Sequence, residues 1–320
     1  MAYDIIGDIH GHADKLEALL ARIGYSRRQG VWRHPQRQAI FVGDFIDRGP
    51  KQLDSVDIAR RMVDGGSALA VMGNHEFNAI GWHTPNPRNP GEFLRPHVSG
   101  KWGDKNRKQH AHFLGEVGDN AALHKELVDW FLTLPLWLEL PGLRVVHACW
   151  HQSFMDDLSK HLHLGRYLTR DLMMAATDEP ADKAEKDNGN FSVFKAVEAI
   201  TKGLEIPLPE GITFEDKDHN LRDRVRVRWW DRDATDFRSA ARLPEDQRKN
   251  FPADEIPAHA RIPLDESKPV FFGHYWMTGA PELQSPSAVC VDYSVGKGGN
   301  LVAYRWDGEP KPDPADFVVA

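Results

Sequence analysis

The sequence predicts an α/β fold in which several strands are each followed by a polar turn and a helix. In the N-terminal half of the 320 residues, short apolar or β-branched runs alternate with Gly-containing turns and with segments of helical periodicity. Strands that alternate with helices indicate βαβ units and a parallel sheet. Acidic, amide or imidazole residues directly follow the apolar runs, where α/β sheets bind their ligands.

Five apolar runs predict the strands that carry this pattern. In chain order they are residues 3–6, 39–42, 69–72, 143–146 and 270–272. The turns after them read GDIHG, GDFIDRG, GNHE, HACW and GHY. Helical periodicity follows the first two turns, with Leu16, Leu19 and Leu20 on one face of the first helix and residues 52–63 as the second. The polar residues are therefore expected to meet at one edge of the sheet.

Two segments interrupt this pattern. Residues 84–112 contain many Pro, Gly, Asn and basic residues and predict a long surface loop. Residues 152–268 are heavily charged, separate the fourth strand from the fifth, and predict a helical or irregular insert that caps the site. The whole chain, residues 1–320, is expected to form a single domain around these segments.

The C-terminal region predicts a β-hairpin. Residues 288–294 and 300–306 are its two strands, and the glycines of VGKGG supply the turn. After the hairpin, the segment DGEPKPDPADF predicts an exposed and poorly ordered tail.

The composition excludes several classes of protein. Asp and Glu total 47 against 40 Lys and Arg, a formal charge of −7 that offers no general attraction to nucleic acid. No apolar run approaches the ~18 residues that a membrane span needs, and no secretion signal is recognisable. Two cysteines, Cys149 and Cys290, predict buried thiols rather than a disulfide framework. We expect a cytoplasmic protein without a membrane or nucleic-acid partner.

The polar residues after the strands predict a site for two metal ions. Asp8 and His10 are two residues apart, so their side chains point to the same side of an extended chain. Asp44 follows the next strand, and its two carboxylate oxygens can bridge a pair of ions. The other strand ends add Asn74, His147 and His274. One ion would be held by Asp8, His10 and Asp44, and the other by Asp44, Asn74, His147 and His274. This nitrogen and oxygen set lacks the thiolates of structural zinc sites.

Two such ions match the chemistry of phosphoester hydrolysis. Ions about 3.5–4 Å apart polarise the phosphoryl oxygens and lower the pKa of a bridging water from 15.7 towards 7, so that a hydroxide attacks phosphorus. His75 is placed by sequence to protonate the leaving group, and Asp47 to orient His75. Arg48 presents a planar fork for phosphate oxygens, and Asn74 is the other expected substrate contact.

Each motif has a structural explanation when it stands alone. GDIHG could be a tight turn before a helix, and residues 44–48 could be a surface turn with a salt bridge. His147 and His274 could each be a hydrogen-bonded core histidine. Their joint occurrence favours a site, because three Gly-Asp or Gly-Asn turns that each follow an apolar run rarely arise by chance.

The motif series resembles that of the calcineurin-like metallophosphoesterases, in their phosphoprotein-phosphatase branch. The resemblance rests on GDIHG, GDFIDRG, GNHE, VVHA and GHY, and on the closing VDYSVGKGGNLVAYRW. It implies a four-layer α/β/β/α fold, a β-sandwich flanked by helices. It also implies a dinuclear centre, with Mn²⁺ as the expected metal and Fe, Zn, Mg or Ni as alternatives. By the same resemblance the six residues above would be the metal ligands, and His75, Asp47 and Arg48 the catalytic group.

Smaller features bear on the branch of the family. Ser/Thr protein phosphatases carry His-Gly-Gly at the fourth motif, whereas this chain reads HAC from His147, which is more similar to the bacterial symmetrical diadenosine tetraphosphatases. Glu76 in GNHE is instead similar to the protein phosphatases. Arg226 and Arg228 are candidates for the second arginine that protein phosphatases take from a later loop, although their segment also fits a strand with exposed basic residues.

Four functional hypotheses follow. The first is a phosphatase for phosphomonoesters, including phosphorylated Ser or Thr in proteins. The second is a dinucleoside polyphosphate hydrolase, which needs an aromatic surface for a base. The aromatic candidates are Trp82, Trp102, Trp229 and Trp230. The third is a catalytically inactive scaffold that binds metal and a phosphorylated partner, and the fourth is RNA end processing through the basic stretch 101–108. The complete ligand set together with His75, Asp47 and Arg48 favours the hydrolases.

Overall fold

The computed structural model describes residues 1–98, 100–215 and 220–320. Its strands are β1 Ala2–Ile6, β2 Ser26–Arg28, β3 Val31–Arg33, β4 Arg37–Phe41, β5 Ala68–Ala70, β6 Trp137–Glu139, β7 Arg144–Val146, β8 Glu205–Pro207, β9 Phe214–Glu215, β10 Leu221–Arg222, β11 Arg224–Arg226, β12 Val270–Phe272, β13 Ala288–Cys290, β14 Asp292–Tyr293, β15 Asn300–Trp306 and β16 Phe317–Val319. Its α-helices are α1 Ala13–Arg22, α2 Gln52–Asp64, α3 Asn74–His83, α4 Gly100–Val117, α5 Ala121–Phe131, α6 Gln152–Ser159, α7 Arg170–Thr177, α8 Lys183–Asp187, α9 Val193–Lys202, α10 Phe237–Ala240 and α11 Glu245–Arg248. Short 3₁₀ turns cover Ala258–Ala260, Val295–Lys297 and Pro314–Asp316.

The main strands form two sheets. The first has the order β14-β15-β1-β4-β5, with β16 also paired to β15. Its strands β1, β4 and β5 are parallel, as the alternation of strands and helices predicted, while β15 runs antiparallel to β1. The second sheet has the order β13-β12-β7-β6, in which β12 is parallel to both β7 and β13. The five predicted strands therefore divide between two sheets.

The two sheets pack face to face and bury different residues on their two sides. Ile5 and Ile40 of the first sheet share one apolar cluster with Val145 and Phe271 of the second. The alternate residues of these strands, such as Ile6, belong to a second cluster that also contains the helices. Since neighbouring side chains of a strand point to opposite faces, this division confirms the predicted α/β sandwich with helices on its outer sides.

The predicted C-terminal hairpin is correct only near its turn. Strand β14 pairs with β15 through Asp292 opposite Leu301 and Tyr293 opposite Asn300. The preceding β13 instead joins the second sheet, parallel to β12. The chain crosses between the sheets at Val291, whose backbone N–H donates to Phe272 at 2.8 Å. Periodicity did not reveal this division because both short strands are buried on both faces.

The predicted surface loop at residues 84–112 is wrong for its second half, which belongs to the long helix α4. The buried residues Asn106, His110 and Phe113 lie at helical spacing on its inner side. The basic residues Lys105, Arg107 and Lys108 occupy the exposed side, and together with the glycines they concealed the helical pattern. Residue 99 of the predicted loop lies outside the described residues.

The C-terminal tail is attached to the first sheet. Most of residues 307–316 are exposed, as predicted, but the following strand β16 pairs with β15. Phe317 packs on Tyr304, with ring centroids 5.2 Å apart. Apolar contacts therefore hold the end of the chain to the body, against the prediction of a poorly ordered tail.

Residues 152–268 contain helices α6 to α11 and short strands, apart from residues 216–219, which lie outside the described residues. Buried residues of this segment, among them Val197, Ile200 and Trp229, share an apolar cluster with Phe272 of the second sheet. The Trp229 indole N–H donates to the Ala148 carbonyl at 3.0 Å. The segment is thus packed on the main body, and its role as a cap stays a prediction.

Among the described helices, none combines the length and apolarity needed to cross a membrane.

Candidate metal centre

The polar residues predicted to bind metal are buried and lie together at the carboxyl ends of the strands. They follow β1, β4, β7 and β12 or begin the helix after β5: Asp8, His10, Asp44, Asn74, His147 and His274. The two sheets therefore present these side chains to one shared edge, where strand ends leave backbone groups and side chains open to a ligand.

Asp44 lies between imidazoles on two sides. Its Oδ2 is 3.6 Å from His10 Nε2, and its Oδ1 is 3.4 Å from His147 Nε2. Groups of His and Asp side chains that could hold an ion occur on each side of this carboxylate. The arrangement is the one expected of a carboxylate that bridges two cations.

Asn74 and Asp8 complete the arrangement. The Asn74 Oδ1 lies 2.8 Å from His274 Nδ1 and 3.1 Å from His147 Nε2, so one oxygen faces two imidazoles. Asp8 accepts a hydrogen bond of 3.1 Å from the backbone N–H of His274. Side chains from positions 8 to 274 of the chain thus converge on one small volume.

The imidazoles are oriented by backbone carbonyls. His10 Nδ1 lies 3.0 Å from the Ile46 carbonyl, and His147 Nδ1 lies 2.7 Å from the Val42 carbonyl. If these Nδ1 atoms carry the proton, each Nε2 is left with a lone pair that points into the site. His10 Nε2 is buried and has no hydrogen-bond partner among the described residues. A buried lone pair without a donor fits a metal ligand, so the residues present fit the expected cations.

Two glycines let the carboxylates approach the strand ends. A Cβ on Gly73 would lie 2.2 Å from Asp44 Oδ1, and a Cβ on Gly273 would lie 2.0 Å from Asp8 Oδ1. Both distances are far below van der Waals contact, so any side chain there would displace the carboxylate. The Gly in GNHE and the Gly in GHY are therefore required by close packing at the site.

The turn after β4 has a strained backbone that Glu76 holds in place. Asp44, Asp47 and Arg48 have φ of 54°, 70° and 76°, a region that non-glycine residues rarely adopt. The Glu76 carboxylate accepts from the backbone N–H of Asp44 and of Phe45, both at 2.8 Å. Sequence reasoning used Glu76 only to compare branches of a family and missed this structural role.

His75 and Asp47 form the pair that the sequence predicted. His75 Nδ1 is 2.5 Å from Asp47 Oδ2, while His75 Nε2 faces the site at 3.9 Å from Asp44 Oδ2. A second imidazole, that of His110 in α4, lies with Nδ1 2.8 Å from the other oxygen, Asp47 Oδ1. Burial opposes ionisation of Asp47, but His110 and His75 outweigh it and hold the pKa of Asp47 below its ordinary value.

The buried imidazoles differ in protonation. Burial, together with His75, lowers the pKa of His10 to about 3. Burial also acts against protonation of His147, but Asp44 and Asp8 outweigh it and raise the pKa of His147 to about 10. His75 likewise has a raised pKa, because Asp44 and Asp47 more than offset its burial. In the absence of bound cations, the raised pKa values of His147 and His75 favour the protonated rings beside the carboxylates.

Arg48 lies beside the site and packs on the ring of Trp276, a residue that was not among the sequence candidates. Its guanidinium carbon is 4.3 Å from the centroid of Trp276, and Lys297 Nζ is 3.8 Å from the same centroid. Trp276 also stacks on His10 at 5.5 Å. A Cβ on Gly296 would lie 2.6 Å from Arg48 Cδ, so the VGKGG turn closes over this arginine. The only signal for Trp276 was its place two residues after His274.

The remaining sequence candidates, four tryptophans and two arginines, differ in their surroundings. Trp229 and Trp230 are buried in the core, and Trp82 stacks on His97 with ring centroids 3.6 Å apart. Trp102 is exposed on α4. Arg228 pairs with Asp231 at 2.9 Å. Arg226, in contrast, is close enough to His274 to contribute, after burial, to its lowered pKa. Of the two arginine candidates, Arg226 is therefore the one whose charge acts on a residue of the site.

A family model for calcineurin-like phosphoesterases matches residues 1–274. The chain therefore belongs to the calcineurin-like phosphoesterase family, as its motifs predicted. This match also confirms the expected class of enzyme, a metal-dependent phosphoesterase, and family members use a dinuclear divalent metal centre.

Among curated relatives, the chain is similar to proteins named asymmetrical bis(5'-nucleosyl)-tetraphosphatase PrpE. The one from Halalkalibacterium halodurans is 43% identical over 76 residues, 23% of this chain and 31% of that protein. The one from Oceanobacillus iheyensis is 30% identical over 149 residues, 46% of this chain and 55% of that protein. The aligned part of the chain thus spans between about a third and about half of the length of these relatives.

Solved structures that match the chain include two phosphatases, both at TM-scores below 0.5. A protein serine/threonine phosphatase from Saccharomyces cerevisiae has a TM-score of 0.47 and 14% identity, covering 100% of this chain and 79% of that one. A cold-active protein-tyrosine phosphatase from a Shewanella species has a TM-score of 0.44 and 17% identity, covering 98% and 79%.

Proposed function

We propose that the chain hydrolyses phosphoesters with two divalent metal ions, preferentially Mn²⁺, and that phosphomonoesters such as phosphorylated Ser or Thr in proteins are its substrates. The observation that supports this proposal is the position of Asp44 between His10 and His147. The His75–Asp47 pair lies at the same site, and its His75 Nε2 faces Asp44. Metal ligands and a candidate proton donor are thus brought within one site.

The chain's own residues divide into three roles. The residues that would hold the two ions are Asp8, His10, Asp44, Asn74, His147 and His274. When bound, the two cations polarise the phosphoryl oxygens and lower the pKa of a water molecule. Asp47 favours protonation of His75, which then donates from Nε2 to the leaving oxygen. Arg48 binds the phosphoryl oxygens through its planar fork, and the Trp276 ring keeps the guanidinium in place.

Imidazole, amide and carboxylate ligands without thiolate suit Mn²⁺ and do not by themselves exclude other divalent ions. The proposal of Mn²⁺ is tested by removing metal and restoring it one ion at a time. Hydrolysis of 4-nitrophenyl phosphate and bound metal are then measured for Mn²⁺, Zn²⁺, Mg²⁺, Ni²⁺ and Fe²⁺. We expect the highest turnover with Mn²⁺ at two ions per chain, and higher turnover with another ion would contradict this choice.

The substrate is tested by product analysis on a phosphoserine peptide, a phosphothreonine peptide and diadenosine tetraphosphate under the same conditions. We expect release of inorganic phosphate from the peptides at the higher kcat/KM. The Asp8→Asn variant is the control for contaminating phosphatases, since Asp8 lies among the metal ligands. Faster cleavage of the dinucleotide would replace the first proposal with the second candidate below.

The second candidate function is hydrolysis of dinucleoside polyphosphates. It is favoured by the cations Arg48 and Lys297 on the Trp276 ring, beside His10. Several phosphates in a row need more than one cation, and an indole near the site can contact a base. The names of the curated relatives point in the same direction. The Trp276→Leu variant should then lose more kcat/KM on the dinucleotide than on the phosphopeptide.

We also retain the expectation of a cytoplasmic location without nucleic-acid partners. It is supported by Cys149 and Cys290, which are both free and buried, as predicted. The excess of 47 acidic over 40 basic residues supports the expectation that the chain has no nucleic-acid partner.

A further inference from the structure

The Asp47 carboxylate is shared between two buried imidazoles. His75 Nδ1 lies 2.5 Å from Oδ2, and His110 Nδ1 lies 2.8 Å from Oδ1. All three side chains are almost fully buried. His75 belongs to the proposed site, whereas His110 comes from α4, a helix that contributes none of the motifs. The role of His110 is therefore not explained by the ligands and catalytic group described above.

A carboxylate that accepts a hydrogen bond at one oxygen only can still tilt its plane by small rotations about its Cα–Cβ and Cβ–Cγ bonds. The backbone of Asp47 is fixed, because its N–H donates to Gln52 Oε1 at 2.5 Å and its φ is 70°. The remaining freedom is the plane of the carboxylate. The hydrogen bond from His110 to Oδ1 fixes this plane, and it thereby aims Oδ2 at His75 Nδ1.

The His110 ring is itself held by packing. It lies 5.4 Å from the Trp82 ring and 4.9 Å from the Phe113 ring, measured between centroids. Trp82 belongs to α3, the helix that also carries His75 at its N-terminal end. One helix thus positions His75 directly and, through Trp82, also contacts the ring that holds its partner carboxylate. Rigid support of this kind is what a precisely aimed proton donor requires.

We propose that His110 is a positioning residue, which holds the Asp47 carboxylate so that His75 Nε2 is aimed at the leaving oxygen. The proposal rests on the proposed function, in which His75 protonates the leaving group. It differs from the alternative that His110 is a core histidine whose hydrogen bond contributes only to stability. The two explanations diverge in how turnover depends on the leaving group, because protonation matters most for a poor one.

The test compares kcat on phenyl phosphate, a poor leaving group, with kcat on 4-nitrophenyl phosphate, a good one. In His110→Leu the donor is lost, and we expect kcat on phenyl phosphate to fall about tenfold while kcat on 4-nitrophenyl phosphate falls less than about threefold. In His110→Asn the amide nitrogen replaces Nδ1, and we expect it to restore most of the loss. His75→Ala, measured beside them, should show the same selective loss on a larger scale.

The matched control is His124→Leu. His124 also packs on Phe113, with ring centroids 5.7 Å apart, but its described contacts do not include Asp47. This variant should leave the ratio of the two kcat values unchanged. Thermal unfolding and bound metal are measured for every variant. If His110→Leu does not fold, His110→Gln replaces it, because its longer amide corresponds to Nε2 and should fail where His110→Asn succeeds.

Two kinds of result would overturn the proposal, and they distinguish failure of the role of His110 from failure of the proposed function. If the wild type cleaves both esters but His110→Leu lowers both kcat values equally, or neither, His110 has only a structural role. If the wild type shows no metal-dependent cleavage of either ester, or His75→Ala leaves the ratio unchanged, the proposed function itself fails and the role of His110 fails with it.

Discussion

His10 and His75 are neighbouring buried imidazoles with opposite protonation behaviour. Their ring centroids are 4.8 Å apart, and Asp44 lies near both. Burial and His75 lower the pKa of His10 to about 3, whereas Asp44 and Asp47 overcome burial and raise the pKa of His75. The difference is in the partner of Nδ1, which is the Ile46 carbonyl for His10 and the Asp47 carboxylate for His75.

This contrast suits the two roles proposed for one residue type at the site, a metal ligand for His10 and a proton donor for His75. A backbone carbonyl orients a neutral imidazole and leaves its Nε2 lone pair available for a cation. A carboxylate stabilises the imidazolium, so that the same Nε2 carries a proton. The partner of Nδ1 does not act alone, because His147 Nδ1 also faces a carbonyl while Asp44 and Asp8 raise the pKa of this ring. The predictions below alter these contacts in turn.

The largest effect is expected from Asp44→Asn, which removes the charge that both imidazoles face. Without the bridging carboxylate, the site should lose metal, and turnover of 4-nitrophenyl phosphate in Mn²⁺ should fall by at least about 1,000-fold. Metal analysis and circular dichroism are measured with the rate. Full metal content at normal turnover would remove Asp44 from its proposed role.

A smaller effect is expected from His75→Ala, which removes the proton donor and leaves His10 and its carbonyl partner unchanged. Turnover of phenyl phosphate should fall about 100-fold, the usual contribution of a general acid. Bound metal should remain at the wild-type level, which separates this variant from Asp44→Asn. An equal loss of metal in both variants would mean that His75 is a ligand like His10.

Asp47→Asn should make His75 resemble His10. The raised pKa of His75 keeps it protonated to higher pH, so wild-type turnover of phenyl phosphate should decline as pH rises through that pKa. Without the carboxylate, the pKa of His75 falls, and the decline should move to lower pH with about tenfold slower turnover at neutral pH. The pH profile of kcat is the measurement, and an unshifted decline would contradict the role of Asp47.

His151→Asn is expected to leave turnover unchanged. It tests whether burial alone lowers the pKa of a histidine in this protein. Burial lowers the pKa of His151 to about 4 from 6.5, away from the site. Its neutral ring accepts the N–H of Phe154 at the start of α6, a cap that Asn can replace.

Because the folded-state pKa of His151 is depressed, its contribution to stability is fully present above pH 6.5 and is lost as pH falls towards about 4. The free energy of unfolding should therefore depend less on pH in His151→Asn than in the wild type, by at most about 3 kcal/mol across this window. Denaturant titrations of both proteins at several pH values measure it. Identical pH dependence would show that burial of His151 does not control its protonation.

The strands, the turns and the residues that meet at the candidate site could be predicted because each depends on a local pattern. An apolar run, a glycine and a polar side chain lie within a few positions, as in GDIHG before α1 and GNHE at the start of α3. The glycines of these turns are explained by close contacts at the site, since a side chain on Gly73 would displace Asp44. Five such patterns in order were sufficient to indicate a family and its fold.

Other features could not be read from the sequence because they depend on which distant segments pack together. Nothing local shows that β13 and β14, separated by Val291, join different sheets. The polar residues on the exposed side of helix α4 obscured its helical periodicity. The contact of His110 with Asp47, which lie 63 positions apart in the chain, could therefore not be predicted either. Trp276 lies beside Arg48 only in the folded chain, because the two residues are far apart in sequence.

By itself, the sequence determined which residue types are available at the strand ends and the order in which the chain presents them, because hydrophobic periodicity and turn chemistry act over a few residues. Only folding set the direction in which the pKa of each histidine moves. That outcome depends on burial and on the charges within a few ångströms, and those charges belong to residues that only folding brings near.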